Sequence, residues 1–190
     1  MTDAHSPILF LSGAGLPTWI WDEVSERLST VSAVAPRPAR HSDAPLSAYV
    51  EAAVDAAPPG RFAIVAHSSG GVVGAELARI LEDRVSSFLA ISAVIPTGTD
   101  SFVSAMPVPN RWILPPVMRL AGTRPPDKAI RRGLCGGLND DDVERIVGKG
   151  QVECAPLVHI DSIVEAGQPI QQYRAGAVIG RQFDAIDAAT

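Results

Sequence analysis

The sequence predicts an α/β fold in which a mostly parallel sheet is flanked by helices. Short, continuous apolar runs at residues 7–12, 30–35 and 61–66 have the length and composition of strands that are buried on both faces. Segments with helical apolar spacing lie between these runs, at residues 21–28 and 46–57. Strands and helices that alternate at this pitch are typical of consecutive βαβ units, and such units build a parallel sheet.

The elements after the third strand extend the pattern. A helix is predicted over residues 72–81 and a fourth strand over residues 85–94. Residues 98–127 hold six prolines and no clean strand. Residues 128–147 have helical spacing interrupted by glycines, with Asn139 as the N-cap of the second half.

The length of 190 residues indicates one domain. We expect this single domain to span residues 1–190, with a proline-rich helical cap segment at about residues 97–150. The segment at residues 151–190 has only weak strand patterns, and its structure is not predicted from the sequence.

Charge and composition argue against several classes of partner. The net charge is −5 and no cluster of lysines and arginines stands out, so we predict binding neither to nucleic acid nor to a membrane surface. The apolar run 8–11 is too short for a membrane span, and residues 1–5 lack the positive charge of a signal peptide, so we expect a cytoplasmic protein. Cys135 and Cys154 are too far apart for a CxxC motif, and the sequence predicts no metal and no cofactor.

The chemistry is concentrated in the segment IVAHSSGG at residues 64–71. A buried strand passes directly into a helix through Ser68, and the residues two positions away on each side, Ala66 and Gly70, are small. Such a turn strains the serine backbone and lifts the hydroxyl above the sheet edge. It also puts the Ser69 backbone N–H at the N-terminus of a helix, where a developing anion is favoured. We predict Ser68 as a nucleophile and Ser69 as one oxyanion donor.

A second oxyanion donor is predicted in the loop SGAG at residues 12–15, which follows the first strand. Gly13 lets the backbone approach a ligand closely. The Ala14 N–H would then point at the same oxyanion as the Ser69 N–H. A plain glycine turn is the alternative interpretation of this loop.

With both loops in place, the chain resembles the α/β-hydrolase superfamily, and within it the compact, esterase-like members. The resemblance covers about residues 6–150. It is carried by three segments, which are residues 7–13 with Trp19-Ile20-Trp21 downstream, residues 65–71 and residues 90–96. It implies an α/β-hydrolase fold and a serine hydrolase that uses a histidine as its base. Two positions depart from the family pattern, because Ser12 replaces the usual histidine of the oxyanion loop and Ala66 replaces the first glycine of the turn.

The catalytic histidine is the departure with the largest consequence for function. Members of this kind carry it near the C-terminus, in a block that is not recognisable in this sequence, where no histidine follows His159. His159 has Asp161 beside it and is the best remaining candidate for the base. The alternative interpretation of His159 is a structural role in a weak strand. The other histidines, His5, His41 and His67, are interpreted as structural or loop residues.

Three functions are compatible with these residues. The first is a serine hydrolase in which Ser68 attacks a small apolar ester, thioester or lactone and a histidine serves as base and then acid. The second is a lyase or cyclase on the same fold, and the third is a catalytically impaired binding protein. A set of apolar residues in the cap segment would either cover the pocket or pack as an ordinary helix; these are Met106, Trp112, Ile113, Leu114, Val117 and Met118.

The weakly patterned C-terminal segment predicts assembly. A sheet that stops early leaves an exposed edge, and an exposed edge invites pairing with another chain. We expect a homodimer or swapped assembly in which residues from about 150 onward pack on a second copy, so that His159 of the neighbour approaches Ser68. Light scattering across a dilution series tests this expectation, and a monomer at all concentrations would contradict it.

Overall fold

A computed structural model describes residues 6–13, 16–38, 44–96, 108–121 and 127–149. Within these ranges four strands form one sheet, and the strands are β1 (Ile8–Leu11), β2 (Ser32–Val34), β3 (Phe62–His67) and β4 (Val85–Ile91). Their order in the sheet is β2-β1-β3-β4. All three pairings are parallel. The predicted α/β fold with a parallel sheet is therefore confirmed.

The helices alternate with the strands as predicted. A 3-10 turn at Thr18–Trp21 leads into α1 (Asp22–Arg27), and the following helices are α2 (Leu46–Ala56), α3 (Gly70–Ile80), α4 (Asn110–Ala121), α5 (Asp127–Leu134) and α6 (Asp140–Lys149). Asn139 caps α6, because its Oδ1 accepts a hydrogen bond from the Asp142 N–H at 2.9 Å. No helix in the described part of the chain has both the length and the apolar character needed to cross a bilayer.

Several element boundaries differ from the sequence prediction; β2, for example, is shorter than the predicted run at residues 30–35, and two further differences lie beside Ser68. The helix after the third strand begins at Gly70 rather than at residue 72. The fourth strand ends at Ile91 rather than at Val94, because Ser92 has a positive φ of 45° and turns the chain. The Val94 N–H then donates to the Ser68 carbonyl at 3.0 Å instead of continuing the ladder.

The sheet is buried on both faces, as its continuous apolar strands require. On one face, Leu9 and Ile64 pack with Leu77 of α3 in the main hydrophobic cluster, and all three side chains are fully buried. On the other face, Phe10 stacks on Trp21 with ring centroids 4.6 Å apart. Successive residues of β1 thus point to opposite sides and are covered on each.

A separate apolar cluster attaches α5 and α6 to the segment that follows β1. It consists of Leu16, Ile130, Cys135, Ile146 and Val147, with Trp19, Ile20 and Val143 packed against it. The Arg145 guanidinium lies 4.0 Å from the centroid of the Trp19 ring. Cys135 is a buried free thiol.

Helix α4 carries part of the apolar set that was predicted to cover a pocket or to pack. The described members Trp112, Ile113 and Val117 are exposed, at 65%, 54% and 48% of their surface. None of these three side chains belongs to a hydrophobic cluster of the described residues. Met106 and the side chains of Leu114 and Met118 lie outside the described part of the chain.

Several predicted positions also lie outside the described residues. They are Ala14, His159, Asp161, Cys154, His5, His41 and the whole segment 151–190.

Candidate active site

The candidate site lies where the carboxyl ends of β1 and β3 meet. These strands are neighbours, with Leu11 paired to Ala66, so Ser12 and Gly13 emerge beside Ser68. The chain passes from β1 to β2 on one side and returns to the other side of β1 for β3. Open parallel sheets bind ligands in the crevice at such a switch point.

Ser68 lies in a strained turn between β3 and α3. Its φ is 53°, in the left-handed region that costs a residue with a Cβ atom about 1–2 kcal/mol. Three backbone hydrogen bonds hold this conformation. The Ser68 N–H donates to the Ile91 carbonyl at 3.3 Å, and the Ser68 carbonyl accepts from the N–H groups of Gly71 at 3.1 Å and Val94 at 3.0 Å. The turn is thereby tied to the segment that follows β4.

The residues flanking Ser68 are small because the backbone is crowded there. A Cβ atom on Gly70 would lie 2.5 Å from the Leu11 carbonyl oxygen, and one on Gly71 would lie 2.5 Å from the Val94 carbonyl oxygen. Ala66, on the strand side, is fully buried. Helix α3 can therefore approach the end of β1 only without a side chain at position 70, and it can approach the segment after β4 only without a side chain at position 71.

The loop after β1 lies directly against Ser68. A Cβ atom on Gly13 would be 2.7 Å from the Ser68 Cβ and 3.0 Å from His67 Nδ1. The backbone at Gly13 thus passes directly beside the Ser68 side chain. Ala14, the predicted donor of the loop, follows Gly13 but lies outside the described residues.

Ser69 is buried, with 4% of its surface exposed. It occupies the N-cap position of α3, an 11-residue helix, and its carbonyl accepts from the Val72 N–H at 3.1 Å. Its backbone N–H is therefore placed at the positive end of a helix dipole. In the described part of the chain, no three His, Cys, Asp or Glu side chains come together to hold a metal ion.

Contacts from two side chains, which the sequence analysis missed, hold the loop after β1. The Trp21 Nε1–H donates to Ser12 Oγ at 2.9 Å. Arg37 follows β2, and its Nη2 donates to the carbonyls of Gly13, at 3.4 Å, and of Leu16. The sequence offers one signal for Arg37, which is its position just after a predicted strand. The carboxyl ends of parallel neighbouring strands lie at the same edge of a sheet, so a residue after β2 can reach the loop after β1.

His67 is the histidine nearest to the candidate nucleophile along the chain. Burial lowers the pKa of its imidazole below the ordinary value of about 6.5. Its Nδ1 is buried and has no hydrogen-bond partner among the residues that the structure describes. The ring therefore favours the neutral form beside Gly13.

We expect the wild-type protein to lose more stability on acidification than a His67→Gln variant. Because the folded pKa of His67 is lowered, the unfolded chain takes up the proton first. The loss begins as the pH falls through about 6.5 and is complete below the folded pKa, with a slope of at most about 1.4 kcal/mol per pH unit. Urea unfolding of both proteins between pH 8 and pH 5 measures the difference in stability. The other histidines are present in both proteins, so their contributions cancel in this difference. A difference that stays constant with pH would contradict the prediction.

The chain matches one protein family over most of its length. A profile of the family described as "Alpha/beta hydrolase family" matches residues 8–177. No curated protein matches the chain in sequence.

Solved structures are similar to the chain in fold at low sequence identity. An extracellular alpha/beta-hydrolase from a Paenibacillus species is 16% identical, with a TM-score of 0.66 over 79% of this chain and 67% of that one. A histidine-to-alanine variant of tomato Methylketone Synthase I is 11% identical, with a TM-score of 0.68 over 97% and 82% of the two chains.

A third similar structure is a histidine-to-alanine variant of the pyrethroid hydrolase PytH. It is 21% identical, with a TM-score of 0.54 over 71% of this chain and 64% of that one. The chain thus spans slightly less than two thirds of PytH. The profile match over residues 8–177 and the shared parallel sheet lead to one conclusion: the chain belongs to the alpha/beta hydrolase family.

Proposed function

We propose that the protein is a serine hydrolase in which Ser68 attacks the carbonyl carbon of a small ester, thioester or lactone. The observation that carries the proposal is the strained turn at Ser68, with φ 53° and three backbone hydrogen bonds that hold it. If this turn had only a structural role, glycine at position 68 would adopt the same φ with less strain. A strained residue held in place by its surroundings is typical of functional sites.

The proposed reaction uses backbone donors on both sides of Ser68. Attack by the hydroxyl forms a tetrahedral intermediate whose oxyanion accepts from the Ser69 N–H and from the Ala14 N–H. Position supports both donors, since Ser69 is the N-cap residue of α3 and the backbone at Gly13 passes close to the Ser68 side chain. Loss of one such donor lowers kcat by about 10²–10³ in enzymes of this chemistry.

The proposed base is His159, of the same chain or of a neighbouring copy. A serine hydroxyl is a weak nucleophile unless a base removes its proton. The base passes this proton to the leaving alcohol, thiol or ring oxygen, and the acyl group stays on Ser68. A water molecule then attacks the acyl-enzyme, gives its proton to the same base and releases the acid.

Names of similar structures support the substrate class. PytH is a pyrethroid hydrolase, and the tomato enzyme was seen with beta-ketoheptanoate, whose name describes a carbonyl compound with a short alkyl chain. We extend this to a small, mostly apolar carbonyl compound as the substrate here. The exposed apolar side chains of α4, Trp112 and Ile113 among them, are compatible with a substrate of that character.

A fluorophosphonate probe tests the proposal directly. We expect the folded protein to form one adduct, and peptide mapping to place it on Ser68. Ser68→Ala should abolish the adduct, whereas Ser47→Ala should not, because Ser47 is an exposed serine on α2. Folded wild-type protein that forms no adduct would contradict the proposal. Turnover in H₂¹⁸O separates hydrolysis, which puts the label in the acid product, from a lyase or cyclase reaction, which does not.

A further inference from the structure

We propose that Arg37 is a positioning residue for the candidate site. Its guanidinium holds the Gly13 and Leu16 carbonyls and thereby fixes the backbone at Gly13 against Ser68. The inference rests on the proposed role of Ser68 for its catalytic part.

The contacts of Arg37 span both ends of the loop after β1. Its Nη2 donates to the Gly13 carbonyl at 3.4 Å and also to the Leu16 carbonyl. The Leu16 N–H donates to the same Gly13 carbonyl at 3.2 Å, which closes a turn. Leu16 is anchored from its other side, since its buried side chain packs with Ile130 and Ile146. Hydrogen bonds from a charged group are stronger than neutral ones, so Arg37 is a strong polar restraint on this turn.

This restraint acts directly beside Ser68. The Gly13 carbonyl accepts hydrogen bonds from Arg37 and from the Leu16 N–H, so the Gly13 backbone is held from that side. A Cβ atom on Gly13 would lie 2.7 Å from the Ser68 Cβ, so a shift of this backbone would change the space around the Ser68 hydroxyl.

Arginine suits this task better than lysine. Its planar guanidinium presents donors in a fixed geometry, whereas a lysine ammonium is a compact point charge on a flexible stem. Pro36 and Pro38 flank Arg37 and restrict the backbone that presents it.

The chain contains a matched control at the other end of the sheet. Arg84 also holds two loop carbonyls, donating from Nη2 to Pro58 at 2.7 Å and from Nε to Gly60 at 3.1 Å. These carbonyls precede β3, so they lie at its amino end, whereas Ser68 follows its carboxyl end. Arg84→Ala thus removes a similar contact without touching the candidate site.

The test compares Arg37→Ala, Arg37→Lys and Arg84→Ala in the full chain. For Arg37→Ala we expect the rate of fluorophosphonate labelling, and kcat for an ester, to fall about 10- to 100-fold while KM changes little, because less is lost than by deleting a donor. Arg37→Lys should recover part of the rate. Arg84→Ala should lower the unfolding midpoint and keep the wild-type rate. Equal rates in Arg37→Ala and Arg84→Ala would overturn the inference while the proposed function stands.

Amide hydrogen exchange of the peptide covering residues 12–16 tests the role of Arg37 independently of activity. We expect faster exchange in this peptide in Arg37→Ala and unchanged exchange in Arg84→Ala. If the wild-type protein does not react with the probe, the proposed function fails, and faster exchange still supports Arg37 as the residue that positions the loop. Exchange at the wild-type rate in Arg37→Ala would overturn the inference.

Discussion

Replacing Ser68 with glycine should abolish hydrolysis and at the same time raise the stability of the protein. The hydroxyl is the proposed nucleophile, and loss of the nucleophile in a serine hydrolase lowers kcat by on the order of 10⁴–10⁶. The φ of 53° is strained for serine but not for glycine. We therefore expect a gain of about 1 kcal/mol in the free energy of unfolding, measured by urea denaturation alongside kcat/KM.

Ser68→Ala is the matched control for the glycine variant. Alanine also lacks the hydroxyl but keeps the Cβ atom, so activity should be lost without relief of the strain. The Ser68→Gly variant should have a larger free energy of unfolding than the Ser68→Ala variant. If alanine were the more stable, the positive φ would not be a source of strain, and activity remaining in both variants would point to a different nucleophile.

Replacing Gly70 with alanine should destabilise the protein by about 2–4 kcal/mol, in the range of severe overpacking. The new Cβ would meet the Leu11 carbonyl oxygen at 2.5 Å and the Ser12 carbonyl oxygen at 3.0 Å. Both atoms belong to backbone, so α3 has to move away from the end of β1. We expect the labelling of Ser68 to fall as well, since the loop and the turn would separate.

Gly133→Ala is the control for this substitution. Gly133 lies inside α5, and a Cβ there would have no atom within 4 Å. Alanine should stabilise this helix by about 0.5–1 kcal/mol. Urea unfolding of both variants measures the contrast, and a Gly70→Ala variant as stable as Gly133→Ala would contradict the crowding described at Ser68.

The fold could be predicted because its signal is local. Strands buried on both faces must be apolar at every position, and β3 meets this requirement from Phe62 to Ala66. The end of β4 was placed too late because residues 92–94 are also apolar or small. Their backbone is used by the turn at Ser68 instead of by the strand ladder, which only the tertiary structure shows.

The candidate site could be predicted only where neighbouring residues define it. Ser68 and Ser69 lie in one continuous strand–turn–helix segment, so their spacing carries the information. Arg37 lies outside that segment, and its position after a strand becomes informative only once β2 is known to lie beside β1, because its contacts with Gly13 and Leu16 depend on that pairing. The base is a harder case, since catalytic partners of a serine are brought together by the fold and not by sequence spacing.

The packing of Leu16 has a consequence for the order in which the protein is assembled during synthesis. The four strands are complete once Ile91 has been made, whereas the cluster around Leu16 needs Ile130 and Ile146. Contacts between residues so far apart in the chain form late, because a long loop must be closed first. The sheet and the turn at Ser68 can therefore form on the nascent chain before the neighbouring loop receives its final support. The candidate site is then completed in a separate step, after the sheet has formed and once α5 and α6 have been synthesised.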